Sequence, residues 1–123
     1  ILTLKKNIYE KYKINFDKFL NHSLVLTPNY SNNNHWLNVI RINRKNKDYL
    51  IKKLISKNIY VRPIWYPNHL QKMYKNNQSY KITNATKLYY ESVCLPSSYH
   101  LSDSDFIRVV KTIFENDNRL SVK

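Results

Sequence analysis

Glycine is absent from all 123 residues of the chain. Phosphate-binding loops of the Walker type and dinucleotide-binding fingerprints both depend on glycine, so this absence excludes them. It also affects the backbone, because a position that needs a positive φ must use another residue, and asparagine is the next choice. We therefore expect Asn58 to end a helix in the left-handed conformation.

Cysteine is almost as scarce, with Cys94 as the single example. One thiol cannot form an internal disulfide or a multi-thiolate zinc site. We interpret Cys94, in the short apolar run Ser-Val-Cys-Leu-Pro, as a small buried hydrophobic side chain rather than a reactive thiol. We predict no metal site, because the four histidines do not show the spacing of zinc ligands. They are His22, His35, His69 and His100.

Acidic residues are few: 8 against 21 Lys and Arg, for a formal net charge of +13. The lysines are scattered, and Asn, Ile and Tyr are abundant, so we interpret the charge as a bias of AT-rich coding; a nucleic-acid partner is the alternative. No apolar run approaches the roughly 18 residues of a membrane span. No signal peptide is visible, which predicts a cytoplasmic protein without membrane contact. The chain starts at Ile1 and not Met, as a piece of a longer protein would.

Hydrophobic periodicity predicts helices over about 1–21, 47–57, 84–92 and 103–115. Asn46 is the expected N-cap of the second helix, and Ser102 with Asp105 forms a capping-box variant for the last. The expected apolar stripes are Ile1, Leu4, Ile8, Tyr12, Phe16 and Phe19 in the first helix, Leu50, Ile51, Leu54 and Ile55 in the second, and Phe106, Val109, Val110, Ile113 and Phe114 in the last.

Strand-like segments lie between these helices, at 35–42, 59–64 and 93–96. They predict an α+β fold, in which helices lie on one face of a small, partly antiparallel sheet. Trp36, within the first segment, is expected to pack in the core. Because most aromatic residues fall on the apolar stripes, we expect them to be buried.

The segment YVRPIWYPNHLQKMY, residues 60–74, is the strongest candidate for a site. Two prolines fix φ and remove backbone donors, so the chain must leave the sheet as an irregular loop. Arg62 can pair with a carboxylate or phosphate, and His69 can donate or accept a proton near neutral pH. Trp65 and Tyr66 offer flat apolar faces suited to a sugar or a base. In the competing interpretation, the two rings cover the sheet edge and His69 caps a short helix.

These motifs, in this order, resemble the C-terminal part of the DegT/DnrJ/EryC1/StrS family of pyridoxal-phosphate nucleotide-sugar aminotransferases, over roughly residues 1–115. Perosamine-synthetase-like and legionaminic-acid-pathway members are the most similar. Asn58 departs from the Gly-Ile of the family. The resemblance rests on His35-Trp36, Asn58-Ile59, Arg62 to His69, Leu95-Pro96 and Ser102 to Val110.

The resemblance implies transfer of an amino group, usually from glutamate, to a keto-sugar on a nucleotide diphosphate, in surface-polysaccharide biosynthesis. Pyridoxal 5′-phosphate would be held by a lysine of a large domain that this chain lacks, so no catalytic residue is assigned and the fragment alone is expected to be inactive. Arg62, Trp65, Tyr66 and His69 are the expected substrate contacts, in an enzyme that works as a homodimer.

The resemblance also implies a division of the chain. Residues 1–22 would link to the large domain, 23–116 would form the small domain, and 117–123 would be a frayed tail. Two other functions compete with this one: a stand-alone basic module that binds RNA or DNA, and a structural fragment that binds a protein partner. A steep salt dependence of oligonucleotide binding would distinguish the first of them.

Overall fold

The computed structural model describes residues 1–17 and 23–115. The first predicted helix is present as far as Phe16, and its continuation, with Phe19, His22 and the 117–123 tail, lies outside the described residues. The described part contains four α-helices and four strands: α1 (Leu2–Phe16), β1 (Ser23–Leu24), β2 (Asn38–Arg41), α2 (Arg44–Ser56), β3 (Arg62–Pro63), α3 (Thr83–Glu91), β4 (Ser92–Leu95) and α4 (Asp103–Phe114).

The sheet has the strand order β1-β2-β4-β3, and each neighbouring pair is antiparallel. Because β2 and β3 both run opposite to β4, they are parallel to each other, with α2 as the crossover between them. β3 is an edge strand, which suits Pro63 because proline has no N–H to donate to a further strand. It is also shorter than the predicted 59–64 segment.

The core lies between one face of this sheet and helices α1, α2 and α4. Tyr12, Leu50 and Ile113 bring the three helices onto Ile40 and Val93 of the two central strands, and all five are fully buried. Tyr12 also donates a hydrogen bond from its hydroxyl to the Pro96 carbonyl oxygen at 2.9 Å. Burying this apolar surface supplies the main driving force for the fold.

The predicted stripes are only partly correct. Ile1, Leu4 and Ile55 are exposed, whereas Tyr9, which the prediction left out, is buried. Ile1 is the N-cap of α1 and Leu4 lies in its first turn, and the buried residues of the helix begin only at Ile8. The apolar face of α1 is therefore the narrower set of Ile8, Tyr9, Tyr12 and Phe16.

α2 ends as the absence of glycine predicted. Asn58 has φ 57°, in the left-handed region. Its N–H donates to the Ile55 carbonyl, and the Ile59 N–H donates to the Leu54 carbonyl, both at 2.9 Å. This pair of bonds is the Schellman arrangement, which uses two of the carbonyl groups that the end of a helix leaves without partners.

The two predicted N-caps have different outcomes. Ser102 caps α4: its hydroxyl accepts from the Asp105 N–H at 3.1 Å and lies 2.8 Å from the Asp105 carboxylate. The prediction for α2 is wrong, because the helix begins earlier, at Arg44, and the Asn43 side chain accepts from the Lys45 N–H at 3.0 Å. Asn46 lies inside the first turn instead.

The α+β class and the antiparallel sheet with helices on one face are confirmed. Of the described helices, none is long and apolar enough to cross a membrane. On the other face of the sheet, Ser92 and Cys94 of β4 are also buried, and the 60–74 segment continues from the β3 edge. This is the part of the molecule that holds the candidate site.

Candidate functional site

Strand register places Arg62 on the sheet face that is turned away from the core. Residues directly opposite each other in an antiparallel pair share a face, and Cys94 stands opposite both Val39 and Arg62. The next residues along the strands, Ile40 and Val93, belong to the core. Because side chains alternate between the two faces, the side chains of Val39, Cys94 and Arg62 must point away from the core. The Arg62 side chain is exposed, and it lines a hollow of about 90 Å³ together with Trp65 and Cys94.

Trp65 forms an exposed pair with Trp36. The two ring centroids are 5.6 Å apart with 47° between the planes, and the side chains are 63% and 58% exposed. The expectation that Trp36 packs in the core is therefore wrong. Trp36 precedes the first residue of β2, Asn38, so the alternation of a strand does not decide which way its side chain points.

Tyr66 is held by its own turn and by α3. Its hydroxyl donates to the Leu70 carbonyl at 3.1 Å, and its ring meets Tyr89 edge-on at 5.2 Å between centroids. The side chain is still about half exposed. The ring is thus fixed in orientation, as a contact surface requires, while its hydroxyl already has a partner.

His69 is tied to α3 by one ring nitrogen. Its Nε2 lies 2.9 Å from the Thr86 hydroxyl oxygen, and the same hydroxyl donates its proton to the Ile82 carbonyl at 3.2 Å. Because a hydroxyl has one proton, His69 Nε2 must be the donor in the first bond. This bond fastens the short 3₁₀ turn Asn68–Leu70 onto the helix, so Nε2 is not open to a ligand.

The structure thus separates the four predicted residues into two groups. Arg62 and Trp65 lie together at the β3 edge of the sheet face turned away from the core, where a second hollow of about 260 Å³ also borders Arg62 and Tyr60. Tyr66 and His69 lie against α3 and make bonds within the domain. Trp36 joins the first group, and strand periodicity gave no signal for it.

Two buried polar side chains lie close to this face. Cys94 is buried, as predicted, and burial raises the pKa of its thiol although Arg62 opposes that shift. Lys47 donates to the Tyr89 carbonyl oxygen and lies under the Tyr89 ring, and burial lowers the pKa of its ammonium group. Within the described residues, Lys47 is the one buried lysine, and its ammonium group already has that carbonyl partner.

The aromatic residues are distributed differently from the prediction. The chain has 11 tyrosines, and only Tyr9 and Tyr12 among them are buried. Several of the others are more than two thirds exposed, including Tyr30, Tyr60 and Tyr80. The surface of this domain is therefore unusually rich in rings, and the expectation that most aromatics are core residues is wrong.

Comparison with known proteins identifies the class of this α+β domain. Residues 1–114 match the model of the DegT/DnrJ/EryC1/StrS aminotransferase family. The chain belongs to that family.

Individual relatives agree with this assignment. EpsN of Bacillus subtilis (strain 168), provisionally named a pyridoxal phosphate-dependent aminotransferase, is 23% identical over 97% of this chain and 32% of its own length. The aminotransferase TlmJ from Streptoalloteichus hindustanus superposes with a TM-score of 0.87 at 21% identity, covering 97% of this chain and 32% of its own. DesI, solved in the presence of its TDP-sugar product, has a TM-score of 0.85 at 15% identity, covering 97% and 32%. The chain thus spans about a third of each.

Proposed function

We propose that this chain is the small domain of a pyridoxal-phosphate enzyme that transfers an amino group from glutamate to a keto-sugar nucleotide. The observation that carries the proposal is the family match over residues 1–114, together with coverage of only 32% of the relatives' length. The TDP-sugar product of DesI supports the nucleotide-sugar class. Residues 1–22 would lead from a large domain into the small domain at 23–116, with 117–123 as its tail.

The described residues do not by themselves fit the cofactor. Pyridoxal phosphate supplies an electron sink to the reacting amine, and it needs a lysine that can form a Schiff base. The one buried lysine of the described part, Lys47, has its ammonium group on the Tyr89 carbonyl oxygen. The reactive lysine would come from the missing two thirds of the enzyme, and the 123-residue chain alone would be inactive.

In this proposal the β3 edge of the sheet face turned away from the core is one wall of the substrate site. Trp65 and Trp36 present flat apolar surface, on which a base or sugar ring can stack. Arg62 stands beside them with a planar guanidinium that can bind phosphate oxygens in pairs. Tyr66 and His69 complete the wall from the α3 side, mainly by holding the 60–74 segment in place. The wall would be closed by the large domain, within a cytoplasmic homodimer that serves surface-polysaccharide synthesis.

The test uses the complete protein that contains this chain. Trp65→Ala and Arg62→Ala are each assayed for glutamate-dependent amination of a keto-sugar nucleotide, with Tyr30→Ala as the matched control. Tyr30 is a 93% exposed ring that lies outside the 60–74 segment. Stacking on an aromatic ring contributes about 1–3 kcal/mol, so Trp65→Ala should raise KM roughly 5- to 150-fold.

Two results would count against the proposal, at different levels. Transfer activity that is unchanged in both variants would remove the site assignment but leave the enzyme class intact. A complete protein that binds pyridoxal phosphate yet aminates no keto-sugar nucleotide would overturn the substrate class. The isolated chain should show no amino-transfer activity with added pyridoxal phosphate, whatever the outcome of the other assays.

The exposed tyrosines keep nucleic-acid binding as a second candidate. Ring-rich basic surfaces bind single strands by stacking and by release of counterions, and this chain combines a net charge of +13 with nine tyrosines that are not fully buried. Titration with a random oligonucleotide at several salt concentrations separates the two. Micromolar binding near physiological salt with a steep salt slope would favour this candidate, and weak binding would favour the transferase.

A further inference from the structure

His35 lines a cavity beside α1 and has no role in the site described above. A space of about 670 Å³ lies between α1 and the 27–35 segment. The His35 side chain is 8% exposed, and its Nδ1 has no hydrogen-bond partner in the described part of the chain. A buried polar atom without a partner calls for a reason, because burial without a hydrogen bond is unfavourable.

The backbone at His35 is also unusual. Its φ is 50°, in the left-handed region that residues with a Cβ generally avoid. The segment is held there by two side-chain turns in succession: the His35 N–H donates to the Asn33 side-chain oxygen at 2.9 Å, and the Trp36 N–H donates to that of Asn34 at 3.0 Å. Asn33 is fixed in turn by its bond to the Thr27 hydroxyl.

The imidazole is anchored by stacking. The His35 and Tyr9 ring centroids lie 4.3 Å apart with 29° between the planes, which fixes the segment on the buried face of α1. Immediately after this anchor, Lys5 of α1 donates to the Trp36 carbonyl at 3.3 Å and to the Ser97 carbonyl at 2.5 Å. The Trp36 backbone is therefore fixed from both sides, while its indole is directed outwards onto Trp65.

We propose that His35 is a positioning residue for the candidate site: its stacked ring and left-handed backbone turn the chain so that the Trp36 indole lies on Trp65 instead of entering the core. This role would account for the buried Nδ1 without a hydrogen-bond partner and for the positive φ of His35, because both belong to the conformation that directs the Trp36 indole onto Trp65. The importance of this pair for substrate rests on the proposed function. Its geometry does not, and the two can be tested separately.

The chain offers a direct spectroscopic test, because Trp36 and Trp65 are its only tryptophans. Two indoles this close couple their transitions, so the 123-residue chain should show an exciton couplet in far-ultraviolet circular dichroism. Trp36→Phe and Trp65→Phe define the signal by abolishing it. His35→Asn, which tolerates a positive φ but has no ring to stack, should lose most of the couplet, and so should Tyr9→Leu.

Controls separate positioning from general stability. Tyr9→Phe keeps the ring, and His100→Asn changes an exposed histidine elsewhere, so both should retain the couplet. Asn33→Ala alters only an exposed side chain and removes the acceptor of the His35 N–H, so it should weaken the couplet in a folded chain even if His35→Asn fails to fold. Melting temperatures are recorded alongside.

The circular dichroism of these variants can give two results. A couplet that is lost in His35→Asn and Tyr9→Leu and weakened in Asn33→Ala, at temperatures where the chain is folded, supports the proposal. A couplet retained in all three, with only the melting temperature lowered, means that His35 is merely structural and overturns it. In the complete protein, His35→Asn should raise KM for the sugar nucleotide with little change in kcat. A lost couplet with an unchanged KM would refute the role of the Trp36–Trp65 pair in substrate binding, and would leave the positioning role of His35 intact.

Discussion

Replacing Asn58 measures how a chain without glycine ends a helix. The left-handed conformation costs a residue with a Cβ roughly 1–2 kcal/mol, and asparagine pays less of this cost than alanine because its short polar side chain can hydrogen-bond locally. Asn58→Ala should therefore lower the free energy of unfolding by about 1 kcal/mol. Asn58→Gly removes the Cβ but adds freedom to the unfolded chain, so it should remain within about 0.5 kcal/mol of the original.

The structure indicates why this position matters. The two bonds that Asn58 organises bring Ile59 back onto the helix end, and both Ile59 and Leu54 are buried in the core. Urea denaturation followed by circular dichroism gives the free energies, and about 1 kcal/mol corresponds to a melting shift of about 3–5 °C in a chain of this size. Lys57→Ala is the matched control, because Lys57 has φ −97° and should change stability by less than about 0.5 kcal/mol. Equal stability of Asn58→Ala and Lys57→Ala would refute the reasoning.

Three further predictions follow from buried groups. Tyr12→Phe leaves the Pro96 carbonyl without its partner and should cost about 1–2 kcal/mol in urea denaturation, and an unchanged midpoint would contradict the bond. Burial, opposed by Glu10 and reinforced by Lys6, lowers the pKa of His35 in the folded chain, so the unfolded chain protonates this imidazole more readily. The free energy of unfolding should therefore fall as the pH drops below the ordinary pKa of histidine, and His35→Asn should show a smaller decline. Cys94, buried and with a raised pKa, should react with a thiol reagent only at the rate of unfolding in urea; rapid labelling of the native chain would show an accessible thiol.

Local chemistry made much of the architecture predictable. α4 has a capping serine, acidic residues in its first turn and a clear apolar stripe, and each of these signals agrees with the others. β4 is a short apolar run that is buried on both faces, as its sequence suggests. Asn58 was predictable because no glycine was available for its conformation.

The errors arise where tertiary context decides between equivalent local choices. Asn43 and Asn46 are both suitable N-caps, and the helix uses Asn43, two residues after β2 ends at Arg41. Trp36 lies in a segment with strand-like composition, but the turn at His35 delays the strand until Asn38. A β-branched and aromatic composition marks residues that suit a strand, and it does not say where pairing starts.

Site prediction from sequence was strongest for residues whose role is local. The two prolines predicted an irregular segment after β3, and the structure has two 3₁₀ turns there, Asn68–Leu70 and Lys72–Tyr74. The bond from His69 to Thr86 and the pairing of Trp65 with Trp36 join residues 17 and 29 positions apart, which no local pattern reveals. Such pairs depend on how the strands are ordered.

The central position of β4 constrains the order in which the protein can be assembled during synthesis. Residues 92–95 bond to β2 on one side and β3 on the other, yet they emerge from the ribosome after both. A nascent chain that stops short of them holds two strand edges with no common neighbour, and unpaired edges are sites of aggregation. Truncations before Ser92 should therefore yield insoluble product, whereas truncation after α4 should leave the four described strands paired.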